Sequence, residues 1–162
     1  MSRGVAWGRA MLVVGAVVLV DQLTKRWVIS SIAPGDRQQF LPAIDLVHVE
    51  NHGVAFGVLA GGHTAVSILV GVALLGLLAY FVRHASRPLL WLPTGLLVGG
   101  ALGNVVDRVR EGTVTDFIKL PVWPAFNLAD LSITVGVIAL LYVVEERART
   151  HEHPANDGGP AR

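Results

Sequence analysis

The 162-residue chain is 52% hydrophobic and only 15% charged, with a net charge of +1 and no cysteine. A soluble domain carries about 25% charged residues, so this composition argues against both an ordinary cytosolic domain and disorder, and near-neutrality argues against an electrostatic nucleic-acid binder. Without cysteine there are no disulfides, thiolate zinc sites, iron–sulfur clusters or cysteine nucleophiles, and the length fits one domain.

Taken in chain order, the first apolar run covers residues 10–20; Asp21, Gln22, Lys25 and Arg26 interrupt it before Trp27, Val28 and Ile29 resume. Arg3 and Arg9 precede the run as in a secretory signal, but no small-x-small cleavage site follows it. Residues 10–30 therefore read as a retained helix whose outer end carries polar residues. A long connection over 30–62 has strand-like character at Leu46, Val47, His48 and Val49, which suggests a small sheet on the membrane face. Residues 65–82 hold no charge, and 88–106 are broken only by Pro93, Thr94 and Asn104; 125–144 contain one acid, Asp130. Each is long enough to span a bilayer. The expected architecture is an all-α membrane protein, with one domain over 1–150 and four spans at about 10–30, 65–82, 88–106 and 125–144. Residues 151–162, rich in Gly, Pro, His and Asn, read as a disordered cytoplasmic tail.

Arg83 and Arg87 lie in the short second connection with no acid beside them. The positive-inside rule then puts that loop and both termini in the cytoplasm and the two longer loops outside. Trp27, Trp123 and Phe126 suit the interfacial aromatic belt.

Charges within spans are costly and are functional candidates by default. Here Asp21, Lys25, Asp107, Arg108 and Asp130 all fall near the outer ends of spans, and Asp116 falls in the outer loop joining the third and fourth. The amides Gln22, Asn51, Asn104 and Asn127 join the same level. Asn104, Asp107 and Arg108 share one helix face, as do Asn127 and Asp130. The loop from 110 to 124 is long enough to bring Asp116 beside Asp130. Two carboxylates so placed share a proton, one acting as base on a water and the other as acid. Asp130 alone reads equally as an acid favoured at a helix N-terminus. Asp107 and Arg108 read as a buried polar network, and Asp21 with Lys25 as a helix-stabilising, interfacial i,i+4 pair of structural or electrostatic role. Gly99 and Gly103 form a GxxxG packing motif. His48 and His52 flank Glu50 in the wrong order for a zinc peptidase helix, and no metal site is expected. None of the serines has the partners of a nucleophile.

Five segments in order resemble the bacterial lipoprotein signal peptidases (signal peptidase II). They are Asp21-Gln22-Leu23-Thr24-Lys25, Asn51-His52-Gly53-Val54-Ala55-Phe56-Gly57, the run from Gly99 to Asp107-Arg108, Gly112-Thr113-Val114-Thr115-Asp116-Phe117, and Phe126-Asn127-Leu128-Ala129-Asp130. The resemblance implies a membrane aspartyl endopeptidase that cuts a prolipoprotein just before its diacylglyceryl-modified cysteine. By resemblance Asp116 and Asp130 form the catalytic dyad, supported by Asn51, Asn104, Arg108 and Asn127. It also implies a short amphipathic helix beginning near Val54, inhibition by globomycin, and a site at the extracytoplasmic face of the bacterial inner membrane. No cofactor is implied, and nothing demands more than a monomer in contact with membrane lipid. Two other classes stay open on the residues alone: a proton-coupled transporter, which would place polar groups at several depths, and a structural membrane protein.

Overall fold

The computed structural model describes residues 1–52 and 62–152. Its elements are α1 (Arg3–Ser31), β1 (Arg37–Leu41), β2 (Ile44–Asn51), α2 (Gly62–His84), α3 (Trp91–Glu111), β3 (Val114–Lys119) and α4 (Leu128–Glu152). The expected amphipathic helix near Val54 and the end of the tail lie outside the described residues. Helices dominate, and the three strands form one antiparallel sheet in the order β1-β2-β3.

Three helices have bounds that differ from expectation for physical reasons. First, α1 starts at Arg3 rather than residue 10. Ser2 caps it, with its hydroxyl accepting from Val5 N at 3.4 Å. Its polar first turns are tied down by neighbours: Arg3 donates to the Val82 carbonyl, Trp7 meets Phe81 edge-on at 4.9 Å, and Arg9 lies 5.5 Å from the Trp91 ring. Second, α3 begins at Trp91, because Pro88–Leu90 form a turn with Leu89 at φ 61°, and it runs on to Glu111. There Gly112 takes φ 77° and its N–H bonds back to Arg108 O at 3.1 Å, a left-handed stop that glycine adopts without a Cβ penalty. Third, α4 continues through residues expected to begin the tail, as far as Glu152.

α3 is the central helix, packed along both α1 and α4. Its small residues permit the approach. A Cβ on Gly99 would lie 2.9 Å from Val17 Cβ of α1, and one on Gly100 would lie 2.5 Å from the Ala129 carbonyl of α4. The GxxxG motif thus serves packing, as its spacing suggested. At one end of the bundle Ala6, Ala10, Phe81, Ala85 and Leu90 make an apolar cluster. At the other, Val28 of α1 and Ile32 at its C-cap pack with Phe117 of β3, seating the sheet on the helix end.

Two helical segments, Arg3–Ser31 and Leu128–Glu146, are long and apolar enough to cross a membrane. Their outer faces leave Leu12, Leu19, Leu23, Ile138, Leu141 and Tyr142 exposed, an apolar surface too extensive for a monomer in water.

Candidate active site

The site forms where the ends of α1 and α3, the start of α4, and strands β2 and β3 converge. Asp116, expected in a loop, lies on β3, which pairs antiparallel with β2 so that Asp116 sits opposite Val49. Strand β3 runs Val114-Thr115-Asp116-Phe117 with all four residues buried. A strand buried on both faces does not alternate polar with apolar, so the segment carries no period-2 signal.

Asn127 and Asp130 are held by reciprocal capping of α4. The Asn127 side-chain oxygen accepts from Asp130 N at 3.0 Å, and Asp130 Oδ2 accepts from Asn127 N at 3.3 Å. This is a capping box with Asn at the N-cap and Asp three residues on. The helix start also receives a carboxylate from another helix: Asp21 Oδ1 accepts from Ala129 N at 2.9 Å, a placement the positive end of the helix dipole favours.

The amide of Asn127 reaches further. Its Nδ2 donates to Asp116 Oδ1 at 2.7 Å and to Asn104 Oδ1 at 3.2 Å. Asn104 Nδ2 in turn donates to Asp130 Oδ1 at 2.8 Å, and Asn51 Nδ2 donates to Asp116 Oδ2 at 2.8 Å. The two aspartates are therefore joined through a pair of asparagines. Asp116 is 2% exposed, whereas Asp130 is half-buried. Burial is the main influence on the Asp116 carboxyl and pushes its pKa up to about 6. The hydrogen bond from Asn51 opposes this, and the nearby charge of Asp130 adds to it.

Behind the asparagines lies an ion cluster. Lys25 Nζ is 2.8 Å from Asp21 Oδ2, 2.6 Å from Asp107 Oδ2 and 3.1 Å from Asn104 Oδ1. Gln22 Nε2 donates to Asp107 Oδ1 at 2.6 Å and to the Gly103 carbonyl at 3.3 Å. The i,i+4 pair of Asp21 and Lys25, expected at the interface, is fully buried between helices. The flanking Gly99 and Gly103 explain this: α1 and α3 come close enough to exclude water, and a Cβ on Gly103 would lie 2.7 Å from the Asp21 carboxylate. Asp107 belongs to this network as expected. Arg108 does not. Its side chain is exposed and donates to the Asn104 carbonyl at 3.3 Å, one turn back on α3, and it makes no ion pair among the described residues.

Sequence reasoning missed two features. One is the double duty of Asn127 as helix cap and bridge, for which the N-x-x-D spacing was the available signal. The other is Gly100, whose role depends on a neighbouring helix. Next to Asp130 an apolar cavity of about 240 Å³ is lined by Leu120, Trp123, Phe126, Leu131 and Thr134.

Comparison with known proteins identifies the family. A family model described as signal peptidase (SPase) II matches residues 13–145. The lipoprotein signal peptidase of Syntrophomonas wolfei is 40% identical over 139 residues, covering 85% of this chain and 91% of its own length. That of Moorella thermoacetica is 44% identical over 131 residues, covering 78% and 85%. Two bacterial membrane enzymes solved by the in meso method, at 1.9 and 2.3 Å resolution, each match with a TM-score of 0.75. One is 34% identical and covers 85% of this chain and 92% of its own; the other is 30% identical and covers 96% and 95%. With the family model spanning most of the sequence and these relatives matching nearly end to end, the chain belongs to the signal peptidase II family.

Proposed function

We propose that the chain is a membrane aspartic endopeptidase that removes the signal peptide from prolipoproteins, cutting just before the diacylglyceryl-modified cysteine, with Asp116 and Asp130 as its catalytic pair. One observation carries the assignment of the pair. Two carboxylates on different elements converge on two asparagines that bond to each other, Asn127 donating to Asp116 and Asn104 to Asp130.

In the working state the pair holds one proton. The ionised carboxylate takes a proton from a water as the water oxygen attacks the scissile carbonyl carbon. The protonated partner gives its proton to the carbonyl oxygen, forming a neutral gem-diol. On collapse the C–N bond breaks as the pair's proton passes to the cysteine nitrogen and a gem-diol hydroxyl gives its proton to the other carboxylate. The signal peptide leaves with a new carboxyl group, and the pair again holds one proton. The titration belongs to the pair rather than to either residue. No metal or organic cofactor enters this chemistry.

Asn51, Asn104 and Asn127 hold the carboxylates, and Arg108, exposed one turn from Asn104, meets the substrate main chain. Asp21, Lys25 and Asp107 brace the helices. The remaining reading is that residues 1–150 form one domain with four membrane-spanning helices in the bacterial inner membrane. Both termini are cytoplasmic, the tail is disordered, and the site and sheet face outward. The enzyme works as a monomer among membrane lipids and is blocked by globomycin. A lipid-anchored substrate brings its scissile bond to the level of the polar cluster, so lateral diffusion in the bilayer supplies part of the orientation that catalysis needs. The apolar cavity beside Asp130 suits an apolar substrate group.

The test is cleavage of a diacylglyceryl-modified prolipoprotein in detergent by wild type, Asp116→Asn and Asp130→Asn, each checked by thermal unfolding. Activity in wild type and none in either folded variant is expected. A folded wild type that leaves the substrate intact overturns the peptidase reading, and an active Asp116→Asn or Asp130→Asn overturns the pair.

A further inference from the structure

A side-chain amide has two chemically opposite ends, and at Asn104 the difference matters. Its NH₂ group donates to Asp130 Oδ1 at 2.8 Å, while its oxygen accepts from Asn127 Nδ2 at 3.2 Å and from Lys25 Nζ at 3.1 Å. Turned over, the same amide would press its oxygen against the Asp130 carboxylate and its NH₂ group against an ammonium that has only donors. Lys25 and the Asp130 backbone N–H, which donates to Asn127 Oδ1, are therefore the two groups at this junction that can only donate. Of the two, Lys25 is the one that bonds Asn104 directly.

We infer that Lys25 is a positioning residue for the reaction: through Asn104 Oδ1 it fixes which end of the Asn104 amide faces Asp130. The inference rests on the reading of Asp116 and Asp130 as the catalytic pair. Neutralising the lysine does not account for its third contact. Asp21 Oδ2 from its own helix and Asp107 Oδ2 from α3 already supply two carboxylates to one ammonium, at 2.8 and 2.6 Å. The remaining donor is spent on a neutral amide, and that amide leads to the site. The relay continues through Asn127, whose Nδ2 bonds to the same Asn104 oxygen and to Asp116. The relay thus has two fixed ends: Lys25 sets the Asn104 amide that faces Asp130, and the Asp130 backbone N–H sets the Asn127 amide that faces Asp116.

A brace between α1 and α3 and a positioning residue make different predictions. Lys25→Met alone would strand two buried carboxylates, so the informative variant is Lys25→Met combined with Asp107→Asn. This keeps the summed charge of Asp21, Lys25 and Asp107 unchanged at one negative. Measured on the full chain in detergent, kcat for prolipoprotein cleavage should fall by about 10- to 100-fold while KM changes by less than about threefold, as expected for a group displaced by a fraction of an ångström. Asp107→Asn alone should retain most of kcat. Lys25→Gln with Asp107→Asn, which restores an N–H donor near Asn104, should recover part of the lost kcat without a matching gain in thermal stability. Adding Asn104→Ala to Lys25→Met/Asp107→Asn should cost little more than Asn104→Ala alone, because both act through one amide. Multiplying losses would overturn the inference, as would a lower unfolding temperature with kcat per folded enzyme unchanged. Should Asp116→Asn or Asp130→Asn cleave in the same assay, the catalytic pair itself falls, an outcome distinct from failure of the Lys25 inference.

Discussion

Gly100→Ala is the substitution that most directly tests how α3 holds the site. A Cβ at this position would stand 2.5 Å from the Ala129 carbonyl oxygen and 2.8 Å from Ile133 Cγ1, whereas ordinary contact begins at 3.4 Å. The Ile133 side chain can rotate away, but the carbonyl is backbone. The start of α4 must therefore back off by about 0.9 Å to restore normal separation, the scale at which packed cores respond to one added methyl. Ala129 immediately precedes Asp130, and its N–H is the donor to Asp21, so the shift falls on the Asn104–Asp130 bond. Overpacking costs about 1–3 kcal/mol, offset by about 1 kcal/mol from replacing a glycine inside a helix. The net loss of stability is thus small. A displacement near 1 Å, in contrast, costs on the order of 100-fold in rate. Gly95→Ala is the matched comparison. It meets Val13 Cβ at 2.7 Å and the Ala10 carbonyl at 2.9 Å, so it carries a similar packing penalty, but against α1 and about two and a half turns from Asn104. Cleavage kinetics and thermal unfolding of both variants should separate them: both lose a similar, small amount of stability, but Gly100→Ala alone loses kcat. Wild-type kcat in Gly100→Ala, or equal losses of kcat in both, would refute the argument.

Two further predictions concern the carboxylates and their cap. Burial pushes the Asp116 carboxyl up to about 6 from the ordinary 3.8, so the pair should keep its proton to higher pH than ordinary carboxyls do, and kcat/KM should fall once pH rises beyond that range. The same shift has a stability sign. An acid whose folded pKa is raised stabilises the fold fully below the unfolded value and loses that contribution as pH rises through the folded one. The unfolding temperature of wild type relative to Asp116→Asn should therefore increase from about pH 8 to about pH 5; a pH-independent difference would contradict the buried-carboxyl account. Asn127→Ala should cost about 1 kcal/mol as a lost helix cap, in addition to its loss of kcat. Asn127→Ser keeps a capping oxygen but is too short to bridge to Asp116, so unfolding scans should show recovered stability while cleavage stays low. Recovery of both would assign Asn127 to folding alone.

The sequence made some of this plain and hid the rest for identifiable reasons. Apolar runs announced the helices because a long buried or lipid-facing helix needs few charges. The gathering of polar residues at one end was visible because charges elsewhere in a span are expensive. Strand β3 was not visible, since Val114 to Phe117 are buried on both sides and include a threonine and an aspartate that pattern reasoning assigns to a loop. The burial of Asp21 and Lys25 was also hidden. An i,i+4 pair looks the same on a surface as in a core, and the decision rests with Gly99 and Gly103 on another helix. Arg108 follows the same logic in reverse. It shares a face with Asn104 by spacing, yet one further turn toward the helix end carries its side chain out of the packed region.

The distribution of one cation among four acids explains why the site sits where it does. Asp21 and Asp107 both take Lys25, and Asp21 also takes the N-terminus of α4. These two acids gain fixed positive partners and hold three helices together. Asp116 is met by two neutral amides, from Asn51 and Asn127. A neutral amide stabilises a carboxylate less than a cation does, so burial prevails at Asp116 and its carboxyl keeps a proton to higher pH. A cation placed beside Asp116 instead would favour its ionised form and lower the pH at which the proposed pair gives up the proton it must donate. The asparagines between the ion cluster and the pair therefore have two functions at once: they pass on orientation from Lys25, and they hold its charge one residue away from the chemistry.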